Sequence, residues 1–234
     1  MIDTTFNFHS DSKGGDPDCK SPTLRRYHKT LWSKQLPTGH IFELTDTKKG
    51  AYLYHKSSLG EFFLDSDAIS HSYRKHKRKV WLTQQIPEEV QELFHAGSTI
   101  GGYTLFPSNR IDNQHTINQA RGVNRYIDDR FDLTLECIRL FYADQPSPLY
   151  LTLLRYKDFF DLFLNFEGYV NFFLLNDLVD KNGHIRFYLP FDQFKTSPAF
   201  TSLEDYLMYK DRVMAFVKTR NRRIVDYVKQ LNNR

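Results

Sequence analysis

Apolar and polar positions follow a helical period at the start of the chain, a two-residue period in the next stretch, and a helical period again through most of the second half. In "SPTLRRYHKTLWSK", Leu24, Tyr27, His28 and Leu31 share one helical face, with Ser21 as N-cap, Pro22 at the first helical position and Pro37 limiting the far end. "HIFELTD", "AYLYHKS" and "GEFFLD" are short β-prone runs broken by "TKKG" and "SLG", which predicts an antiparallel meander. "IPEEVQELFHAG" has the Pro87, early glutamates and closing glycine of a short helix, and "IGGYTLFPS" reads as a strand.

From Thr116 to about Asp177 the spacing is helical, through "YLTLLRYKDFFDLFL" and "FEGYVNFFLLNDLV", with "ADQPSP" and Gly168 as punctuation. "HIRFYLPF" alternates Ile185, Phe187 and Leu189 with His184, Arg186 and Tyr188, which predicts a late strand joining the sheet. A closing helix starts at Ser202 in "SLED" and carries Phe216, Val217, Ile224, Val225 and Val228 as an apolar stripe. The sum is a single α+β domain, a small, mostly antiparallel sheet packed against a helical layer from residues 116 to 232. Residues 1–20 read as a flexible N-terminal arm, 21–110 as helix plus sheet, and 111–234 as a mainly helical part with one late strand.

Composition narrows the class further. A chain of 234 residues, 40% apolar and 15% aromatic, can bury a substantial core in one domain. A formal charge of +4 favours anionic partners without identifying a nucleic-acid binder. "MIDTTFNFHSDSKGGDPD" lacks a secretory pattern and no apolar run reaches the roughly 18 residues of a membrane span, so a cytoplasmic protein without a membrane partner is expected. Cys19 and Cys137 supply neither a disulfide framework nor a cysteine-rich zinc site. "FHSDSKGGDPD" clusters Asp11, Asp16 and Asp18 without calcium-loop spacing, and reads as part of the solvated arm. The absence of G-x-S-x-G, Walker A and G-x-G-x-x-G motifs argues against α/β-hydrolase, P-loop and Rossmann enzymes of ordinary type.

The densest candidate chemistry lies in "NRIDNQHTINQARGVNRYIDDRFDLTLECIRLFY". Continued as one helix from the capping box "TINQ" at Thr116, it places Arg121, Arg125, Asp128, Asp132, Glu136 and Arg139 within an arc of about 80°, although Gly122 can break the first turn. The like-charge pairs Asp128/Asp132 and Asp132/Glu136 each destabilise an isolated helix by about 0.2–0.5 kcal/mol, so a cation is expected to face them. That cation could come from another element or be a metal such as Mg²⁺, or the arginines could grip a substrate group; plain solvation is a further reading. Arg121, Arg125 and Arg139 are thus candidate phosphate or carboxylate clamps, with Arg110, Asn118 and His55 as further ligand contacts. Asp128, Asp132, Glu136 and His115 are the acid/base or metal candidates. Arg130 falls in the middle of the apolar face and demands a buried partner.

In "HSYRKHKRK", Arg74, Lys75, Lys77, Arg78 and Lys79 lie near Tyr73 and Trp81, which suits either a nucleic-acid patch or a solvated loop. "TRNRR" at 219–223 is a second cationic patch of the same kind. "YLYHKSSLGEFFLDSDAISHSY" resembles the first strand of bacterial ADP-ribosyltransferases. That resemblance implies a contact from His55 to the ribose of NAD, with Tyr103 and Glu136 as the later tyrosine and glutamate.

Taken together, "SPTLRRYHKTLWSK", "LGEFFLDSDAISHSY", "IGGYTLFPSNRIDNQHTINQARG", "IDDRFDLTLECIR" and "GYVNFFLLNDLV" resemble a family of bacterial proteins labelled only as a domain of unknown function. The resemblance covers nearly the whole chain and implies a bacterial cytoplasmic protein of one domain, with no activity or catalytic residue to carry over. The residues themselves favour a protein that binds or processes a phosphate-bearing ligand, a nucleotide or RNA, in an Arg/Asp/Glu-lined pocket. The competing class is a non-catalytic interaction module whose charged stripe is a salt-bridged strut and whose Trp32 and Trp81 bind another protein. Mg²⁺ and NAD are the cofactors these readings would use; no specific motif carries either.

Overall fold

In the first helix of any length, Ser21 Oγ accepts the Leu24 N–H at 3.1 Å and Pro22 occupies the first turn, so the start is where local chemistry puts it. The structure is a computed structural model that describes residues 2–47, 53–70 and 79–232. Most of the "TKKG" turn and the basic run from His71 to Arg78 lie outside the described residues.

The helices are α1 (Pro17–Lys20), α2 (Pro22–Trp32), α3 (Val80–Thr83), α4 (Pro87–Gly97), α5 (Ile117–Val123), α6 (Phe131–Tyr142), α7 (Tyr150–Arg155), α8 (Lys157–Asp161), α9 (Phe166–Phe172) and α10 (Leu203–Asn232). Strands β1 (Lys34–Gln35) and β2 (Ile41–Phe42) form a small antiparallel pair. A second antiparallel sheet has the order β3-β4-β5-β6, from β3 (Thr45–Asp46), β4 (Leu53–Ser57), β5 (Gly60–Ala68) and β6 (Tyr103–Pro107). The architecture is the expected single α+β domain. Among the described residues no helix is long and apolar enough to cross a membrane.

The meander forms with one change, since "HIFELTD" divides between β2 and β3 and so serves two sheets. β5 is the longest strand and pairs with β4 on one side and with the wholly buried β6 on the other. α10 begins where Ser202 Oγ accepts the Asp205 N–H, and it locks onto the sheet through Arg220. The buried Arg220 guanidinium donates to the carbonyls of Gly101, Tyr103 and Phe173 at 2.7–3.0 Å, so "TRNRR" is not a free cationic patch. Arg223 in the same run forks onto Asp177.

Three expectations change. The long helix from Thr116 is broken: its capping box is present, but α5 ends at Val123 and α6 starts at Phe131. Between them Asn124 Oδ1 accepts the Tyr126 N–H, Asp128 and Asp129 take left-handed backbone angles, and the Asp129 N–H returns to the Arg121 carbonyl. Short polar side chains that bond their own backbone compete with a helix, and here they win. The second change is "HIRFYLPF", which is not a strand. It makes one bridge, Ile185 to Val179, and the Tyr188 N–H goes to the Asp132 carboxylate instead of a strand neighbour.

The third change is the N-terminal arm, which is built into the body. Phe8 is fully buried and meets Tyr27 and Tyr103 edge-on at ring distances of 5.7 and 5.6 Å. Tyr27 Oη accepts the Asp3 N–H, and Asp11 takes the Ser21 hydroxyl and the Thr23 N–H. The arm thereby becomes one wall of a cleft.

Candidate functional site

The cleft, of about 880 Å³, opens where the arm, the end of β5 and the segment leading into α5 meet. Its carboxylates come from three remote places: Asp16 and Asp18 on the arm, Asp67 on β5 and Asp129 in the turn between α5 and α6. Its cationic and amide groups, Arg110, His115 and Asn118, come from the loop after β6 and the first turn of α5. That loop is held down by Arg155, which donates to the His115 carbonyl at 3.0 Å, and by Tyr156, which donates to the Asn109 carbonyl at 2.8 Å.

Arg121 shapes the floor without reaching the cleft. It is fully buried: Nη1 donates to Asp67 and to the Ala68 carbonyl, Nη2 to the Asp129 carbonyl at 2.8 Å, and Nε to Thr134 Oγ1 at 3.2 Å. A planar guanidinium with donors in a fixed fork can tie strand, turn and helix together in this way. The two carboxylates beside it, Asp67 and Asp129, are positioned by that grip.

Three carboxylates in and beside the acidic wall, Asp18, Asp65 and Asp67, resist ionisation. Burial, then the neighbouring carboxylates Asp16, Asp67 and Asp65, hold Asp18 well above the usual carboxylate range. Burial also pushes Asp65 up to about 7, and Asp67 up to about 6 against the opposing pull of Arg121. Asp18 Oδ1 is buried without a hydrogen-bond partner, although Asp18 lines the cleft. Among the described residues no group of three or more His, Cys, Asp or Glu has the arrangement to hold a metal ion, so the Mg²⁺ expectation has no donor set there.

Of the described residues singled out from sequence, Arg110, His115 and Asn118 meet in the cleft, which Tyr103 also lines, while His55, Arg125, Asp128, Asp132, Glu136 and Arg139 lie elsewhere. Arg125 is exposed and lies over the Tyr126 ring. Arg139 forks onto Glu136 within α6 at 2.7 and 2.8 Å, and Asp132 is the buried partner of Arg130. The expected single stripe therefore does not exist, because the break at Asn124 turns α6 away from α5. Arg130 does have the buried carboxylate that an obligate cation requires, but as the N-cap residue of α6.

Asp128 faces Lys79 at 3.5 Å, and Lys79 also lies over the Phe200 ring, so this lysine is tied to the body. Arg74, Lys75, Lys77 and Arg78 fall outside the described residues. His55 is buried between Phe42 and Phe62 and donates through Nδ1 to the Glu43 carbonyl at 2.9 Å, so its ring offers no face to an NAD ribose. Trp32 is buried and Trp81 is 54% exposed, which leaves only one of the two expected docking tryptophans at the surface.

Sequence reasoning missed Asp16, Asp18 and Asp67 as site residues. A signal existed in "LDSDA", where two carboxylates interrupt a strand that should be buried, since buried carboxylates are kept only where something meets them. Asp16 and Asp18 carried no such signal, because nothing local places the arm against the sheet.

These features define a one-domain α+β protein with a cleft lined by carboxylates from the arm, β5 and the turn before α6 and by Arg110, His115 and Asn118. The chain belongs to DUF6994, a family of unknown function whose model matches residues 2–224. No curated protein and no solved structure matches it.

Proposed function

We propose that the cleft binds a small phosphate-bearing ligand, a nucleotide or sugar phosphate, with the phosphate toward Arg110, His115 and Asn118 and the sugar hydroxyls toward Asp16 and Asp67. The observation that carries this reading is the meeting in one cleft of groups suited to an anion, from the loop after β6 and the first turn of α5, with carboxylates suited to hydroxyl donors, from the arm and β5. A volume of about 880 Å³ lies in the range of small-molecule sites, about 300–1,000 Å³, and favours a free ligand over a nucleic-acid strand. Two unpaired cysteines fit a protein of the reducing bacterial cytoplasm.

Calorimetric titration with AMP, ribose 5-phosphate and inorganic phosphate tests it. Arg110→Ala is expected to weaken AMP and ribose 5-phosphate by about tenfold or more, the loss of one charge-assisted hydrogen bond, while Arg125→Ala and Arg139→Ala bind as wild type. Equal losses from all three variants, or no binding at millimolar concentration, would overturn it.

A further inference from the structure

Along α5 the residues that line the cleft are Asn118, Gln119, Gly122 and Val123, the spacing of one helix face. Asn118 and Gly122 stand one turn apart on it, about 6 Å along the axis. Gly122 is the anomaly of this face. A glycine inside a helix loses more conformational freedom on folding than alanine does and brings no side chain to pack. The other two glycines in the described α-helices are forced by their neighbours. A Cβ on Gly97 would lie 2.7 Å from Ser70 Oγ, and one on Gly168 would lie 2.1 Å from the Phe163 carbonyl oxygen. A Cβ on Gly122 would meet no atom within 4 Å among the described residues, and Gly122 has no left-handed backbone angle. α5 runs on through it, with the Asn124 N–H closing onto the Ala120 carbonyl. Neither packing nor backbone geometry asks for glycine here, and the open space beside it is the cleft.

We infer that the ligand of the cleft is a nucleotide and that its base lies flat against the bare backbone of Gly122, with Val123 beside it. This rests on the proposed phosphate site and chooses between the two ligands which that reading allows. With the phosphate at Arg110, His115 and Asn118 and the sugar hydroxyls at Asp16 and Asp67, a sugar phosphate is fully accounted for and never reaches Gly122. A nucleotide carries one more part, a planar ring separated from its phosphate by one sugar, and a surface for it lies one helical turn beyond Asn118. A ring comes within van der Waals contact of a helix backbone, about 3.5–4.0 Å, only where no side chain stands between them, which glycine alone provides. Val123, 68% exposed and also lining the cleft, offers the same ring apolar surface to cover. Glycine at 122 thus costs the fold and serves the ligand. Its signature is that a substitution which improves the fold impairs binding.

Thermal melts of the unliganded full chain, with calorimetric titration of AMP and ribose 5-phosphate, test this. The wild type is expected to bind AMP at least about tenfold more tightly than ribose 5-phosphate, the gain of one stacked base. Gly122→Ala should raise the melting temperature by about 1–4 °C while weakening AMP. Gly122→Leu, whose side chain would occupy the place of the base, should weaken AMP by about tenfold or more and leave ribose 5-phosphate unchanged. Val123→Ser, at an exposed position, should melt as wild type and weaken AMP alone. A lower melting temperature for Gly122→Ala overturns the inference, because the fold itself would then require the glycine. Equal wild-type affinity for the two ligands, AMP binding that Gly122→Leu leaves unchanged, or a loss that ribose 5-phosphate shares equally overturns the base site and leaves the phosphate site standing, since Arg110→Ala still weakens both ligands. If neither ligand binds the wild type, the phosphate reading falls and the base site with it.

Discussion

Asp132 Oδ2 accepts the backbone N–H of Tyr188 at 2.8 Å, so a carboxylate in the first turn of α6 holds a segment 56 residues further along the chain. The same carboxylate takes the buried Arg130 guanidinium, from Nε at 3.1 Å and from Nη2. Removing Arg130 leaves an anion that still has the Tyr188 N–H and the start of a helix to stabilise it. Removing Asp132 leaves a buried guanidinium bare and an N–H orphaned. Asp132→Ala is therefore expected to cost about 3–5 kcal/mol, more than Arg130→Leu, in urea denaturation. The reverse order would mean that Arg130 swings to water once released.

Arg121 gives a second expectation. Its donors serve Asp67, Ala68, Asp129 and Thr134 at once, a pattern that one ammonium cannot reproduce. Arg121→Lys should lose nearly as much stability as Arg121→Met, about 3–5 kcal/mol for each. Arg125→Ala, at an exposed site, should change it by less than about 1 kcal/mol, whereas Arg139→Ala takes the fork from the buried Glu136 carboxylate and should fall between that value and the cost of the Arg121 variants. Thermal melts of the four variants compare them directly, and a well-tolerated lysine would show that the floor of the cleft does not depend on the fork.

The acidic wall predicts an unusual response to pH. Asp65 is raised from 3.8 to about 7, Asp67 to about 6, and Asp18 well above its ordinary value. Between the unfolded and folded values the folded state binds more protons, so stability falls as pH rises from about 4 to about 7 instead of increasing. Melting temperature should accordingly be higher near pH 5 than near pH 7.5. Asp18→Asn and Asp65→Asn should raise the melting temperature at neutral pH and flatten the profile, with Asp65→Asn adding stability on the order of 1 kcal/mol once solvent screening is allowed for. A profile that rises across this window in all three proteins would show the wall to be ionised.

Gly101, in the turn just before β6, lies tight against α10. A Cβ there would lie 2.6 Å from Asn221 Oδ1 and 2.7 Å from the Val217 carbonyl oxygen, and Asn221 already accepts the Gly101 N–H. Gly101→Ala should cost about 1–3 kcal/mol by forcing α10 outward. Because the backbone of Val217 would remain in the way, Asn221→Ala added to Gly101→Ala should not restore the loss, which the melt of the double variant checks.

Much of the fold is legible locally. Ser21, Thr116 and Ser202 each cap the helix expected to start there, and "GEFFLD" and "GYTLFP" form neighbouring strands, because caps and two-residue alternation act over a few residues. Arg130 could be called buried from its apolar neighbours alone. The cleft was legible only in part: Arg110, His115 and Asn118 stand in one polar loop and turn, but their carboxylate counterparts do not follow from anything near them.

By itself, the sequence determined the class of fold, its main helices and central strands, and the rule that its interior cations must be paired, since these follow from short-range hydrogen bonding and the cost of burying charge. Tertiary structure completed the break of the helix from Thr116 at Asn124, where the reach of Arg121 to Asp67 joins the local Asn124 hydrogen bond and the left-handed Asp128 and Asp129 in outweighing helical periodicity. It alone placed the arm, because Phe8 finds its aromatic partners on α2 and β6, far along the chain. Asp18 meets Ser66 and Asp67 only after that docking, so the acidic wall is a product of long-range packing that local spacing does not encode.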